Sequence, residues 1–192
     1  MKRRMYLAGS ATLLAASPLA GCLNRLEPGG DDVPEPVDLL GDKFDDDHGM
    51  EIGPHGGANA QIFYGDATPP NRESGPFWFH TLVFSGFPFY FDRRSRGWDV
   101  DVFYATDYSA TDWTIRKRDG GPTMPSPTAK ETFADATTLT YVAESDVRGG
   151  MGAGLHPFSN EDDASTFVDD YGGELLEFDD ITPTLVENLQ GQ

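Results

Sequence analysis

Donor side chains are few in this sequence, and their settings are informative. Its 192 residues include one cysteine, Cys22, four histidines and five methionines. Thioether and imidazole groups are donors that soft and borderline metal ions select. Met50 and Met151 lie on glycine-flanked turns, Gly49-Met50 and Gly150-Met151-Gly152. Glycines there expose the side chain and allow close backbone approach, whereas a core methionine usually fills a gap in an apolar run. His48 is adjacent to the first turn, and His156 follows the second, directly before Pro157-Phe158. His80 falls in the aromatic run Phe77-Trp78-Phe79-His80 and reads as a satisfied core histidine. His55, in Pro54-His55-Gly56-Gly57, reads as a loop residue. Catalysis has little support, so the chain is not read as an enzyme. It has no G-x-S-x-G elbow, and Gly149-Gly150-Met151-Gly152 lacks the lysine of a phosphate loop.

The fate of Cys22 decides whether a thiol is available. Lys2, Arg3 and Arg4 precede an apolar stretch that ends in Leu19-Ala20-Gly21-Cys22. This pattern reads as a secretory signal over 1–21 ending in a lipobox. Arg3-Arg4-Met5-Tyr6-Leu7 also fits twin-arginine export. Cleavage before Cys22 would make its thiol the lipid attachment point and leave the mature chain without a free thiol, and so without a cysteine nucleophile. The expected location is extracytoplasmic, with the chain anchored to the cell membrane. Losing the signal's three basic residues takes the net charge from -18 to -21. Such a surface argues against nucleic acid, whose phosphates need Lys and Arg. It suits a domain bathed in high salt, where screening blunts self-repulsion.

Residues 22–47 are acidic, with prolines at 28, 34 and 36, and read as a solvated tether. Asp45-Asp46-Asp47 reads as part of that surface, with an acidic cation trap as the alternative. Beyond it, Ala60–Tyr64, Phe77–His80 and Val100–Tyr104 have strand character. Thr81–Phe91 reads as a short helix capped by Thr81, although Gly86 and Pro88 oppose a long one. The stretch 116–128 is a loop by composition, and its Arg116-Lys117-Arg118 is a solvated basic patch. Thr138–Ala143 is a strand and Leu155–Phe158 an extended segment. A helix then opens at Ser159 or Asn160, carrying an apolar stripe of Ala164, Phe167, Val168 and Tyr171. Gly172-Gly173 stops it, and Glu174–Phe178 returns as a strand. The expected architecture is α+β, two packed strand–strand–helix–strand units over 48–113 and 133–182. They are separated by a loop insertion at 114–132 and followed by a tail at 183–192.

Several of these pieces, in order, resemble the NosL family. They are the lipobox at Cys22, Gly49-Met50, Ala60-Gln61-Ile62, Thr106-Asp107-Tyr108 with Trp113, and Tyr141-Val142 with Ser145. Gly149-Gly150-Met151-Gly152 leading to Pro157-Phe158, Asp163-Ala164 with Phe167, and Tyr171-Gly172-Gly173 before Phe178 complete the set. The resemblance implies a fold of two strand–strand–helix–strand units. It also implies a lipid-anchored copper chaperone that assists metal-site assembly in nitrous oxide reductase, with that enzyme or its maturation machinery as partner. One departure concerns the site. The family's Cys-x-x-Cys-Gly-Met stands here as Asp45-Asp46-Asp47-His48-Gly49-Met50. Without thiols, a copper ion, Cu(I) by the softness of the donors, falls to Met50 and Met151 with His48 and His156. The alternative is a tethered binding or assembly module of the same fold that has lost metal binding with the cysteines.

Overall fold

The computed structural model describes residues 33–192 apart from Asp66 and Asp119. The expected export signal and Cys22 lie outside those residues. Among the described residues no helix is long and apolar enough to cross a membrane.

The first unit is built on β1 (Ala60–Phe63) and β2 (Phe77–Phe79). Thr81 then caps the helical segment as its sequence predicts, its hydroxyl accepting from Phe84 N at 3.1 Å. The segment opens with a wide π-type turn, Leu82–Gly86, and continues as α1 (Phe87–Ser95). Pro88 does not shorten it, because proline in a helix's first turn removes an N–H that has no intrahelical acceptor. The chain returns as β3 (Val102–Thr106) beside β1. A three-residue ribbon pair follows, β4 (Arg116–Arg118) and β5 (Gly121–Thr123), within the stretch expected to be loop. β6 (Phe133–Asp135) then adds to β3, giving the antiparallel order β2-β1-β3-β6.

The second unit repeats the plan with β7 (Thr140–Ala143), β8 (His156–Phe158), α2 (Glu161–Tyr171) and β9 (Glu174–Leu176), in the order β8-β7-β9. Asn160 is the N-cap, its side chain accepting from Asp162 N at 2.9 Å. Gly172 ends the helix at φ +71°, a left-handed conformation that costs other residues. The central strands, β1 and β7, carry the same neighbours in the same order, so the two units are topologically equivalent.

One apolar core joins the units. Phe87, Tyr90 and Phe103 meet Phe178, and Phe87 also meets Tyr141, with ring centroids 5.6 to 6.1 Å apart. The expected tail instead contributes to this core. Thr182 caps α3 (Pro183–Gln190), which buries Val186 and Leu189. α3 packs on α1 and on the Leu82–Gly86 turn, where Gln190 Nε2 donates to Val83 O at 2.9 Å. Its apolar positions span too few turns for periodicity to stand out.

The described part of the expected tether, residues 33–47, is also part of the fold. Val37 exchanges two hydrogen bonds with the Gln61 side chain, at 2.8 and 2.7 Å. Leu39 is fully buried and donates its N–H to Thr128 O. Composition misled here because the backbone of Val37 and Leu39 and the carboxylates of Asp38, Asp45 and Asp46 all find partners distant in sequence.

Candidate metal centre

Asp45 organises the site. It is 3% exposed and accepts four hydrogen bonds. Oδ1 takes the N–H groups of Asp47 and His48, each at 2.8 Å. Oδ2 takes His80 N at 2.8 Å and the His80 ring nitrogen Nδ1 at 2.6 Å. Burial alone would raise this carboxyl. The donors from His80 and Ser85, with the N–H groups of His80 and His48, outweigh burial and hold it at about 2. It is therefore ionised at neutral pH and serves as a fixed acceptor.

The tautomer of His80 follows from this contact. A carboxylate can only accept, so Nδ1 carries a proton, and in the neutral ring Nε2 presents a lone pair. That Nε2 is buried and has no hydrogen-bond partner among the described residues. A buried polar atom without a partner is costly. A carboxylate behind one ring nitrogen with the other left open is the arrangement in which histidines bind metals. The sequence reading of His80 as a satisfied core residue is thus half right. It is buried, but one nitrogen is unspent.

Two further imidazoles flank it. The ring centroid of His48 lies 6.3 Å from that of His80, and that of His55 lies 6.2 Å away, both edge-to-face. His48 is half exposed and lies 3.5 Å from Asp47 Oδ2. Metal–nitrogen bonds of about 2.0–2.1 Å would bring rings sharing one ion roughly 1 Å closer than this. Among the described residues no three imidazole, carboxylate or thiol groups already stand at ligand spacing. Of the three neighbouring rings His48 is the most exposed and His80 the most buried.

The neighbouring glycines bring Met151 into the same region. A Cβ on Gly150 would stand 2.5 Å from Gly56 O and 3.2 Å from Thr81 Cγ2. Only glycine permits this approach, which seats the Met151 loop against the loop of His55 and the residue after His80. Met151 is 46% exposed, with its thioether on the surface. Met50 is half-buried, and its carbonyl closes the Asp45 turn by accepting Asp45 N at 2.8 Å.

His156 is elsewhere. It is fully buried against Tyr108 and Phe167. Its Nε2 lies 2.9 Å from Val147 O and donates to it. Burial pushes its pKa down to about 4 despite that hydrogen bond. The ring is fully enclosed between Tyr108 and Phe167, with Nδ1 unpartnered among the described residues, so what separates it from His80 is the absence of neighbouring imidazoles within ring contact. Sequence reasoning thus gave His48 and Met151 to this region and missed His55 and His80. Their signal was present only as imidazoles beside the Gly56-Gly57 and Thr81 turns, 25 residues apart.

The run expected to be solvated surface is instead partly buried. Besides Asp45, the Asp46 side chain accepts Trp78 N at 2.7 Å and pairs with both terminal nitrogens of Arg72, at 3.0 and 2.6 Å. Arg72 in turn stacks on Trp78, 3.4 Å from the ring centroid. The turn that carries His48 is therefore fastened to β2 by two adjacent carboxylates.

Two antiparallel ββαβ units with one shared core and an imidazole pocket define a small α+β protein of recognisable type. Residues 36–186 match the profile of the family described as NosL, and the chain belongs to that family. The crystal structure of the copper chaperone NosL from Shewanella denitrificans superposes with a TM-score of 0.52. It is 21% identical and covers 82% of this chain and 97% of that one, a likeness of fold. The copper-binding lipoprotein NosL of Stutzerimonas stutzeri is 38% identical over 53 residues, 28% of this chain. That match spans 28% of the relative's length.

Proposed function

We propose that this protein is a lipid-anchored, extracytoplasmic copper chaperone that carries the ion as cargo to the metal site of nitrous oxide reductase during its assembly. The observation that carries the reading is His80, held by Asp45 with a buried, open Nε2 beside His48 and His55. These imidazoles replace the family's thiolates. Met151 supplies a thioether at the rim, and Met50 supports the turn behind it. Imidazole and thioether together suit copper, and the thioether favours Cu(I). His156 is left out of the ligand set. The geometry also suits transfer. His80 is a fixed ligand on the sheet, whereas His48 and Met151 are exposed and able to pass the ion to incoming donors.

The test is an anaerobic Cu(I) titration of the full chain against a chromogenic chelator. The parent competes for copper, and His80→Ala abolishes competition. Asp45→Asn leaves every ligand in place but removes the acceptor that orients His80. It weakens binding about 10- to 100-fold, the usual effect of losing a partner behind a ligand. Met151→Ala weakens binding less, and His156→Phe leaves it unchanged. A parent that fails to compete refutes the reading and favours a tethered assembly module that has lost metal with the cysteines.

A further inference from the structure

The cations of this acidic chain are unevenly used. Arg72 pairs with Asp46, Arg93 and Arg96 pair with Asp92, Lys43 lies over Trp78, and Arg94 donates to Tyr90 Oη. Arg116, Lys117 and Arg118 of β4 are all exposed, and none forms an ion pair among the described residues. Arg148 lies beside them and donates to Gly120 O at 3.2 Å. In a chain of net charge -18 this is a concentrated positive face.

Its position is fixed by hydrogen bonds on two sides. Arg118 donates to Pro54 O at 2.6 Å, and Gly57 N donates to Met124 O at 2.9 Å, so the ribbon borders the loop of His55. Arg148 N donates to Pro122 O at 2.8 Å, and Met124 N to Arg148 O at 3.0 Å, so it also borders the segment leading to Met151. The ribbon is thus clamped between the two loops that bring His55 and Met151 together.

We propose that this ribbon is a docking face for an acidic surface of the protein that exchanges metal with the histidine pocket; this rests on the chaperone reading above. Guanidinium groups present planar forks that match carboxylates two at a time. In strong salt long-range attraction is screened within about 3 Å at 1 M, so only carboxylates in direct contact are held. Alternation along β4 sends Arg116 and Arg118 to one side and Lys117 to the other. That arrangement suits an irregular protein surface better than a flat lipid one.

The test measures binding of a fluorescent polyglutamate peptide to the full chain in detergent by anisotropy, beside flotation with phosphatidylglycerol vesicles. The parent binds the peptide. Arg116→Ser/Lys117→Ser/Arg118→Ser weakens it about tenfold, as expected for three exposed pairs of about 0.5 kcal/mol each. The matched control Arg93→Ser/Arg94→Ser/Arg96→Ser on α1 stays within about twofold of the parent. Should loss of the Arg118–Pro54 contact unfold the triple variant, Arg116→Ser/Lys117→Ser serves in its place, with about a fivefold loss. Equal weakening in ribbon and control variants overturns the proposal, as does no peptide binding by the parent. Ribbon-dependent vesicle binding without peptide binding also overturns it, assigning the face to membrane. Copper titration of the same samples separates the two readings. Peptide binding by a parent that holds no copper supports the docking face and refutes the chaperone function.

Discussion

His156 offers a quantitative check on the fold. Its ring is fully buried, and the folded chain keeps it neutral down to about pH 4, against an ordinary value of 6.5. Between those pH values the unfolded chain binds a proton that the folded chain refuses. Stability therefore rises with pH across this window. It is complete above about 6.5 and falls as the pH drops towards 4. At 1.36 kcal/mol per pH unit the loss reaches about 3 kcal/mol near pH 4. His156→Phe removes the titration while keeping an aromatic ring of similar size between Tyr108 and Phe167. The variant gives up the donor to Val147 O, which still accepts from Ser145 Oγ at 3.1 Å. That loss is worth about 1 kcal/mol. The buried Nδ1, which has no partner among the described residues, disappears with the imidazole. Urea unfolding at fixed salt from pH 7.5 to 4.5 should thus show two crossing lines. The variant is about 1 kcal/mol less stable at pH 7.5 and about 1–2 kcal/mol more stable at pH 4.5. Asp45 does not blur the comparison. Its depressed pKa gives stability that is present above 3.8 and lost as the pH falls towards about 2, below this window. Parallel lines for parent and variant would refute the placement of His156 as a buried neutral core residue.

Two other changes test the supports of the site and core. Gly150→Ala sets a methyl 2.5 Å from Gly56 O, so the His55 and Met151 loops must part. A cost of about 1–3 kcal/mol in urea unfolding is expected, together with weaker copper competition; unchanged values in both would show that the loops need not touch. Leu189→Ala removes a fully buried side chain from α3, and thermal or urea unfolding should register about 2–5 kcal/mol. A loss below about 0.5 kcal/mol, the range of surface substitutions, would return 183–192 to the status of a tail.

Elements with a local cause were readable from the chain. Thr81 and Asn160 are caps because their side-chain oxygens reach N–H groups two or three residues on. Gly172 stops α2 because only its own φ matters. The apolar stripe from Ala164 to Tyr171 declares a helix wherever it packs. The paired ββαβ plan and the NosL resemblance follow from the order of such elements. Residues 33–47 were misread for the opposite reason. Their stability comes from Gln61 and Thr128, distant in sequence, and composition cannot register a contact. The ribbon at 116–123 and the helix at 183–190 were likewise too short for periodicity to distinguish from loop and tail.

By itself the sequence determined the inventory: no mature thiol if Cys22 takes a lipid, four imidazoles, two methionines on glycine turns and a large excess of carboxylates. These limit any soft-metal site to nitrogen and thioether donors. Only the tertiary structure decided which imidazoles meet. A histidine's role depends on what binds its two ring nitrogens and on whether water reaches them, and both are set by distant segments. Asp45, 35 residues before His80, fixes that ring's proton and leaves its other nitrogen open. Val147 and the core around Tyr108 commit His156 to packing. The same side chain thereby becomes a candidate ligand in one unit and part of the core in the other.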